Sequence, residues 1–273
     1  MGKLFNKMYI GNPKKNDLTK EQVDNIDPLK LFITVLQVRG LKLILLNLMY
    51  SFFLIPMGIN IYIALLGYLD EPQFATLIPY IYAALPCLLF AMPGKLGFTN
   101  VLMRWAADEH AWLWSDFWEG IKKNWKQGLV LTITNYLIFL FLIFVAWFYA
   151  AMSSTQEPNM ISAFAPYVYY LILGVIFVFI MVSIYTVPLS QRYKFKFKYI
   201  YKYSFMLCVR KFLPTFLAVA ISGLAIYGFL YTAAMHFIWL LAIIPVMGFS
   251  LFYLIMYIIV GRSFKNFVFL PER

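Results

Sequence analysis

From Gly128 to Ala151 the chain runs through twenty-four residues without one charged side chain. As a helix rising 1.5 Å per residue such a segment is about 36 Å long, enough to cross the roughly 30 Å hydrocarbon core of a bilayer. Lipid offers the backbone no hydrogen-bond partner, so a crossing segment must satisfy its own N–H and C=O groups, and a helix does so. Five further stretches have this character, at about 43–69, 74–92, 162–187, 213–234 and 237–260. With 63% hydrophobic and only 13% charged residues, the chain is too apolar for a soluble domain. The expected fold is all-α: six transmembrane helices over 43–260, a polar segment at 1–42 and a tail at 261–273. Pro56 leaves the first span either kinked or broken near Met57 and Gly58.

The 23 Lys and Arg residues fall on one side of this arrangement. They lie before span one, between spans two and three, between spans four and five, and after span six. The remaining connections carry Asp70, Glu71, Glu157 and His236. Cations resist translocation, so the basic side is predicted to be cytoplasmic, with both termini inside a bacterial plasma membrane. The net charge of +11 then belongs to the inner face. Its counterpart is an anionic leaflet or a protein, and nucleic acid is not called for. Residues 1–30 have no apolar signal core, and MGKLFN lacks the hydroxyl residue that myristoylation places at position 6.

Amphipathic helices are expected at the inner face. Asp27-Pro28 reads as an N-cap and first helical residue, and Leu29, Phe32, Ile33 and Leu36 share a face ahead of span one. Further inner helices are expected at about 97–108, 116–127 and 191–211. In DFWEGIKKNWKQG, Asp116 is a plausible N-cap with Glu119 three residues on. Trp114, Phe117, Trp118, Ile121 and Trp125 form an apolar stripe, with Glu119, Lys122, Lys123 and Lys126 opposite, where Glu119 can pair with Lys122 or Lys123. Two readings stand: a tryptophan-and-lysine anchor in the headgroup layer, or a protein-docking surface that includes Asn124 and Gln127. A second basic helix carries Lys194, Lys198, Lys202, Arg210 and Lys211. Both basic stretches lead into a span, which gives a weak internal repeat.

The segment from Ala91 to Gln127 resembles the YesL family of bacterial integral membrane proteins. The matching positions are Pro93, Gly94, Gly97, Arg104, Asp116, Phe117, Trp118, Lys123, Asn124, Trp125, Lys126 and Gln127, and the likeness is best over about 43–147. The resemblance implies a turn rich in Pro and Gly, a short helix, an acidic step and an aromatic segment before the next span. It assigns no molecular activity. Members are commonly encoded beside carbohydrate ABC transporters, which implies an accessory role in sugar uptake.

Chemistry leaves few traces in the remainder. No ionisable residue falls within a span, so the usual mark of a proton or ion pathway is missing. Asn60 and Asn135 are expected to make interhelical hydrogen bonds, with a role in lining a path for an uncharged solute as the alternative. No phosphate-binding loop, zinc-protease pair or nucleophile elbow occurs. His110 and His236 lie on opposite sides, and Cys87 and Cys208 read as packing residues. No catalytic residue, cofactor or metal is assigned. The expectation is a non-catalytic accessory or adaptor protein, with a transporter or channel for an uncharged solute such as a sugar as the alternative. Large aromatics are expected to dominate packing, with few GxxxG-type contacts.

Overall fold

The computed structural model describes residues 28–71, 73–107, 109–153, 160–193, 195–220, 223–224 and 248–264. All its elements are helices: α1 Pro28–Asp70, α2 Phe74–Ala106, α3 Leu113–Ser153, α4 Met160–Arg192, α5 Phe197–Arg210, α6 Phe212–Ala220 and α7 Phe249–Phe264. Four of them, α1 to α4, are long and apolar enough to cross a membrane, and α5 with α6 would make a fifth if the pair, bent by 90°, is one span. Half of the expected spans at 213–234 and 237–260 lies outside the described residues, as do the segments 1–27 and 265–273.

The helices are longer than the spans expected of them. The inner helix ahead of span one is continuous with that span as α1, and only Arg39 leaves helical geometry, at φ −123° and ψ 15°. Gly40 follows it, and the Arg39 guanidinium lies 5.8 Å from the Trp105 ring centroid, so a weak helix former and a cation–π contact coincide at the bend. Pro56 sits inside α1 without ending it. The turn expected around Pro93 and Gly94 is likewise helix: α2 runs through Pro79, Pro86 and Pro93. The segment 116–127 is no separate surface helix either, because α3 continues from Leu113 to Ser153.

Glycine explains how α1, α2 and α3 come together. A Cβ on Gly94 would lie 2.6 Å from Phe53 of α1, and one on Gly97 would lie 2.7 Å from the Phe117 carbonyl oxygen of α3. In the other direction, a Cβ on Gly120 would meet Asn100 at 2.6 Å, and one on Gly128 would meet Leu96 at 2.6 Å. Small residues at these points let backbones approach, which is how helices associate where lipid removes any hydrophobic preference for protein. Contacts at these glycines therefore join α1, α2 and α3, and no two of the four positions have the GxxxG spacing that was expected to be rare.

The main core sits at the Lys- and Arg-rich end. Leu31, Val35, Leu43 and Leu46 of α1 pack with Phe98, Val101, Leu102 and Trp105 of α2, Phe117 of α3, and Leu254 and Tyr257 of α7. Towards the other end Ile59, Ile61, Tyr62, Leu65 and Leu69 of α1 are exposed, while Asn60 and Gly67 stay against Tyr80 of α2. A second core joins Leu131, Met181, Val182, Tyr185 and Leu189 to Ile200, Leu207 and Cys208 of α5.

Polar bonds tie the helices across these cores. Thr99 pairs with Tyr257 at 2.9 Å, Asn47 accepts from the Ser250 backbone at 2.6 Å, and Tyr185 pairs with Thr215. Asn60 donates to the Tyr80 carbonyl at 3.1 Å, and Asn135 accepts from Tyr201 at 2.7 Å. Tyr201→Phe removes only that last bond and should cost about 0.6–1 kcal/mol. Thermal unfolding in detergent is the measurement, and an unchanged midpoint would show that the bond does not hold α5.

Candidate functional site

Residues 113–128, the first part of α3, carry most of the sequence-derived candidates. The face that packs there is Asp116, Gly120, Asn124 and Gly128, together with Phe117. Their spacing of four places them on one helix face. Of the expected apolar stripe only Phe117 is fully buried; Trp118 and Ile121 are half-buried, and Trp114 and Trp125 remain 65% and 49% exposed. The packed face is thus small and polar, and the tryptophans largely face outward.

Asp116 is the centre of this packing. One carboxylate oxygen accepts from Arg104 Nη1 at 2.8 Å, and the other accepts from the Trp112 backbone N–H at 2.6 Å. Asp116 therefore sits in the first turn and reaches back to the residue before the helix, where an N-cap role was expected. Asn100 donates to the Asp116 carbonyl at 2.7 Å. Glu119 pairs with Arg104 at 3.2 Å, so the partner expected among the lysines of its own helix is replaced by one on α2. Arg104 thus clamps two carboxylates on α3 and fixes the α2–α3 connection.

Two helical turns beyond Asp116, Asn124 is 2% exposed and donates to Gln191 of α4 at 2.7 Å. Gln191 donates in turn to the Gly120 carbonyl at 3.4 Å. Gln127 donates to the Phe195 carbonyl at 2.8 Å, just ahead of α5. These bonds hold α3 against α4 and the α4–α5 connection, so its polar residues act as internal struts.

The opposite face carries fewer contacts among the described residues. Trp114, Ser115, Trp118, Glu119, Lys122 and Lys123 line a shallow, open cleft that, among the described residues, is bounded by α3 alone. The Trp114 and Trp118 rings meet edge to face with centroids 5.8 Å apart. The cleft pairs an aromatic wall with two lysines, a combination suited to an apolar group flanked by negative charge. Trp125 and Lys126 are exposed within one turn beyond it.

The match to known proteins falls on this same region. Residues 43–146 match the family described as "Protein of unknown function, DUF624". YesL proteins are members of that family. The matched stretch holds α1 beyond its bend, all of α2 and most of α3, and so contains the glycine contacts, the Arg104 clamp and the cleft. No curated protein and no solved structure matches the chain.

The other candidates are separate. Lys198, Lys202 and Arg210 are exposed on α5, Lys211 sits half-buried at the bend, and Lys194 lies outside the described residues. Phe205, Met206 and Val209 are exposed beside them, which gives α5 a mixed apolar and basic outer face. His110 packs against Trp112 with ring centroids 5.1 Å apart. Sequence reasoning missed Asn100, Gly120 and Gln191 as structural partners. The four-residue recurrence of small and polar side chains from Asp116 to Gly128 was the signal that could have found the packed face.

Proposed function

We propose that the protein is a non-catalytic membrane adaptor whose cytoplasmic end docks a partner at the Trp114–Lys123 cleft. The observation that carries this reading is the distance of the cleft from the apolar part of α3. Trp118 lies ten residues, and Trp114 fourteen, before Gly128, where the uncharged stretch begins. Along a helix these separations are roughly 15 and 21 Å. The headgroup layer on one side of a bilayer is only about 5–8 Å thick. A usual tilt of about 20° shortens the projection by little. The cleft therefore extends past the headgroups into the cytoplasm, and this favours docking over lipid anchoring for this segment. The exposed face of α5, apolar and basic together, suits the inner leaflet of a plasma membrane.

The positive-inside pattern supports the cytoplasmic placement. The likeness to the YesL family suggests the partner: a component of a carbohydrate ABC transporter. The alternative, transport of an uncharged solute, would need polar groups free in the bundle, whereas Asn60 and Asn135 are both engaged with neighbouring helices. The experiment is copurification from native membranes, comparing the natural protein with a variant reversed at Lys122, Lys123 and Lys126. A transporter component should accompany the natural protein, and the triple reversal should lower its recovery about tenfold or more, given that close interfacial charge pairs are worth ~1.5 kcal/mol upwards. Natural protein that brings down no transporter component, or a reversal that leaves recovery unchanged, would overturn the reading.

A further inference from the structure

Cations without carboxylates mark the second half of the chain. Between Glu157 and Glu272 the sequence holds nine Lys and Arg residues and not one acidic residue. The carboxylates of α3 at this end of the bundle, Asp116 and Glu119, are taken by Arg104. Among the described residues, Lys198 and Lys202 of α5 are exposed and form no ion pair. Four residues apart on one helix, their ammonium groups are neighbours that repel each other and reach the same point outside it. Their counter-charge is therefore to be sought in what surrounds α5.

Bonds to α3 and α4 fix the depth of α5. Gln127, the last residue before the uncharged stretch of α3, donates to the Phe195 carbonyl at 2.8 Å, so α5 starts level with the end of that stretch. Tyr201 donates to Asn135, which lies seven residues, or about 10 Å, past Gly128. Beyond the 90° bend, Thr215 of α6 pairs with Tyr185, seven residues or about 10 Å before the charged end of α4 at Arg192. These ties hold α5 at the boundary between headgroups and hydrocarbon, with Ile200, Leu207 and Cys208 packed inward. Its outer surface is basic first and apolar after: Lys198 and Lys202 give way to Phe205 and Val209, and then to Phe212 and Leu213 of α6, all exposed. A surface that passes from cationic to apolar at this depth, over two helices, matches a phospholipid, phosphate followed by acyl chain. An acidic protein segment would match only its first part.

We propose that Lys198 and Lys202 bind the phosphate of an anionic phospholipid of the inner leaflet, whose acyl chains lie along Phe205, Val209 and Phe212, and that this lipid fastens α5 to α3 and α4. The proposal rests on the inner-leaflet reading of α5 and is independent of docking at the Trp114–Lys123 cleft. A phosphate between the two lysines offsets their repulsion. A lipid that binds only the packed α5 also lowers the population in which α5 is detached.

Cys208, 3% exposed on the inward face of α5, reports that population. The purified full-length protein with Cys87→Ala is placed in nanodiscs of phosphatidylcholine, alone or with phosphatidylglycerol added, and the rate at which N-ethylmaleimide labels Cys208 is measured. Labelling should be at least about tenfold slower with phosphatidylglycerol, since each cation near an anionic surface favours association about fivefold. The Lys198→Gln/Lys202→Gln variant should lose most of that difference, whereas Lys198→Arg/Lys202→Arg should keep it. Lys30→Gln, which removes an exposed charge from α1, should keep it as well and so separates this site from the net charge of the inner face. A natural protein that labels equally fast in both bilayers, or a difference as large in the Gln pair as in the natural protein, would overturn the proposal. Where Cys208 labels too slowly to time, the thermal unfolding midpoint in the same bilayers takes its place. Phosphatidylglycerol should raise that midpoint in the natural protein and not in the Gln pair, and an equal rise in both would overturn the proposal. No partner is present in these measurements, so failure of the docking reading appears in copurification alone.

Discussion

Replacing Gly97 by Ala is expected to destabilise the protein by roughly 2–3 kcal/mol, whereas Gly174→Ala should raise stability by up to about 1 kcal/mol. The substitution is the same, and both sites are inside long helices. At Gly97 the new methyl would sit 2.7 Å from the Phe117 carbonyl oxygen and 2.8 Å from its ring. The oxygen belongs to the α3 backbone, so relief requires moving the whole helix. That movement would also strain the Arg104–Asp116 contact two turns further along α2. At Gly174 a Cβ meets nothing within 4 Å, and the substitution keeps only its benefit, a less flexible unfolded chain and better helix propensity. Thermal unfolding in one detergent decides the matter. Midpoints that move in the same direction for both variants would refute the close approach of α2 and α3 as the organising contact of the bundle.

The two glycines also show where the sequence was informative. Lack of charge marks a crossing helix whatever surrounds it, so the all-helical class and the apolar segments of α1 to α4 could be read directly. Which face of each helix packs could not be read in this way. In water the apolar face is the packed one, but in lipid both faces are apolar, and the difference moves to small and polar residues. The Trp114, Phe117, Trp118, Ile121 and Trp125 stripe lies ahead of the uncharged stretch, where the lipid rule does not reach, and it was misread because the glycines at 97 and 120 admit a close approach on the other face. The structure instead packs Asp116, Gly120, Asn124 and Gly128, and leaves Trp114 and Trp125 outside. The segment around Pro93 and Gly94 has the same origin. In a soluble protein Pro-Gly marks a turn, but a helix in a bundle tolerates the lost hydrogen bond, and Gly94 is there to admit Phe53. The cleft residues were legible as a group because Lys122 and Lys123 stand beside Trp118 in sequence. Their distance along the helix from the uncharged stretch could be measured only once α3 proved to be a single helix from Leu113 to Ser153.

Asp116→Ala should cost roughly 3 kcal/mol, the second large effect expected of a single substitution. Its carboxylate is 8% exposed and accepts two short bonds, one from the Arg104 guanidinium and one from the Trp112 backbone. Bonds to a charged acceptor contribute about 1.5–3 kcal/mol each, and the two share one group, so their loss is less than additive. Truncation leaves the Trp112 N–H without its acceptor and Arg104 with only Glu119, which is 47% exposed and separated from it by 3.2 Å. An ion pair in that setting is worth about 0–1 kcal/mol, so Glu119→Gln should be nearly silent. Asp116→Asn keeps the shape and one acceptor oxygen and should fall between the two. Arg104→Ala should resemble Asp116→Ala, and the double variant should lose much less than the sum, because both remove the same contact. The consequence for function follows from position. Asp116 lies one residue past Ser115 and two before Trp118, so releasing it unfastens the wall of the cleft from α2. Partner recovery should then fall even though all the lysines remain. Unfolding midpoints for these five variants, with recovery measured on the same preparations, provide the test. A Glu119→Gln variant as damaged as Asp116→Ala would place the clamp at the exposed carboxylate, and the buried one would then have no special part in holding the cleft.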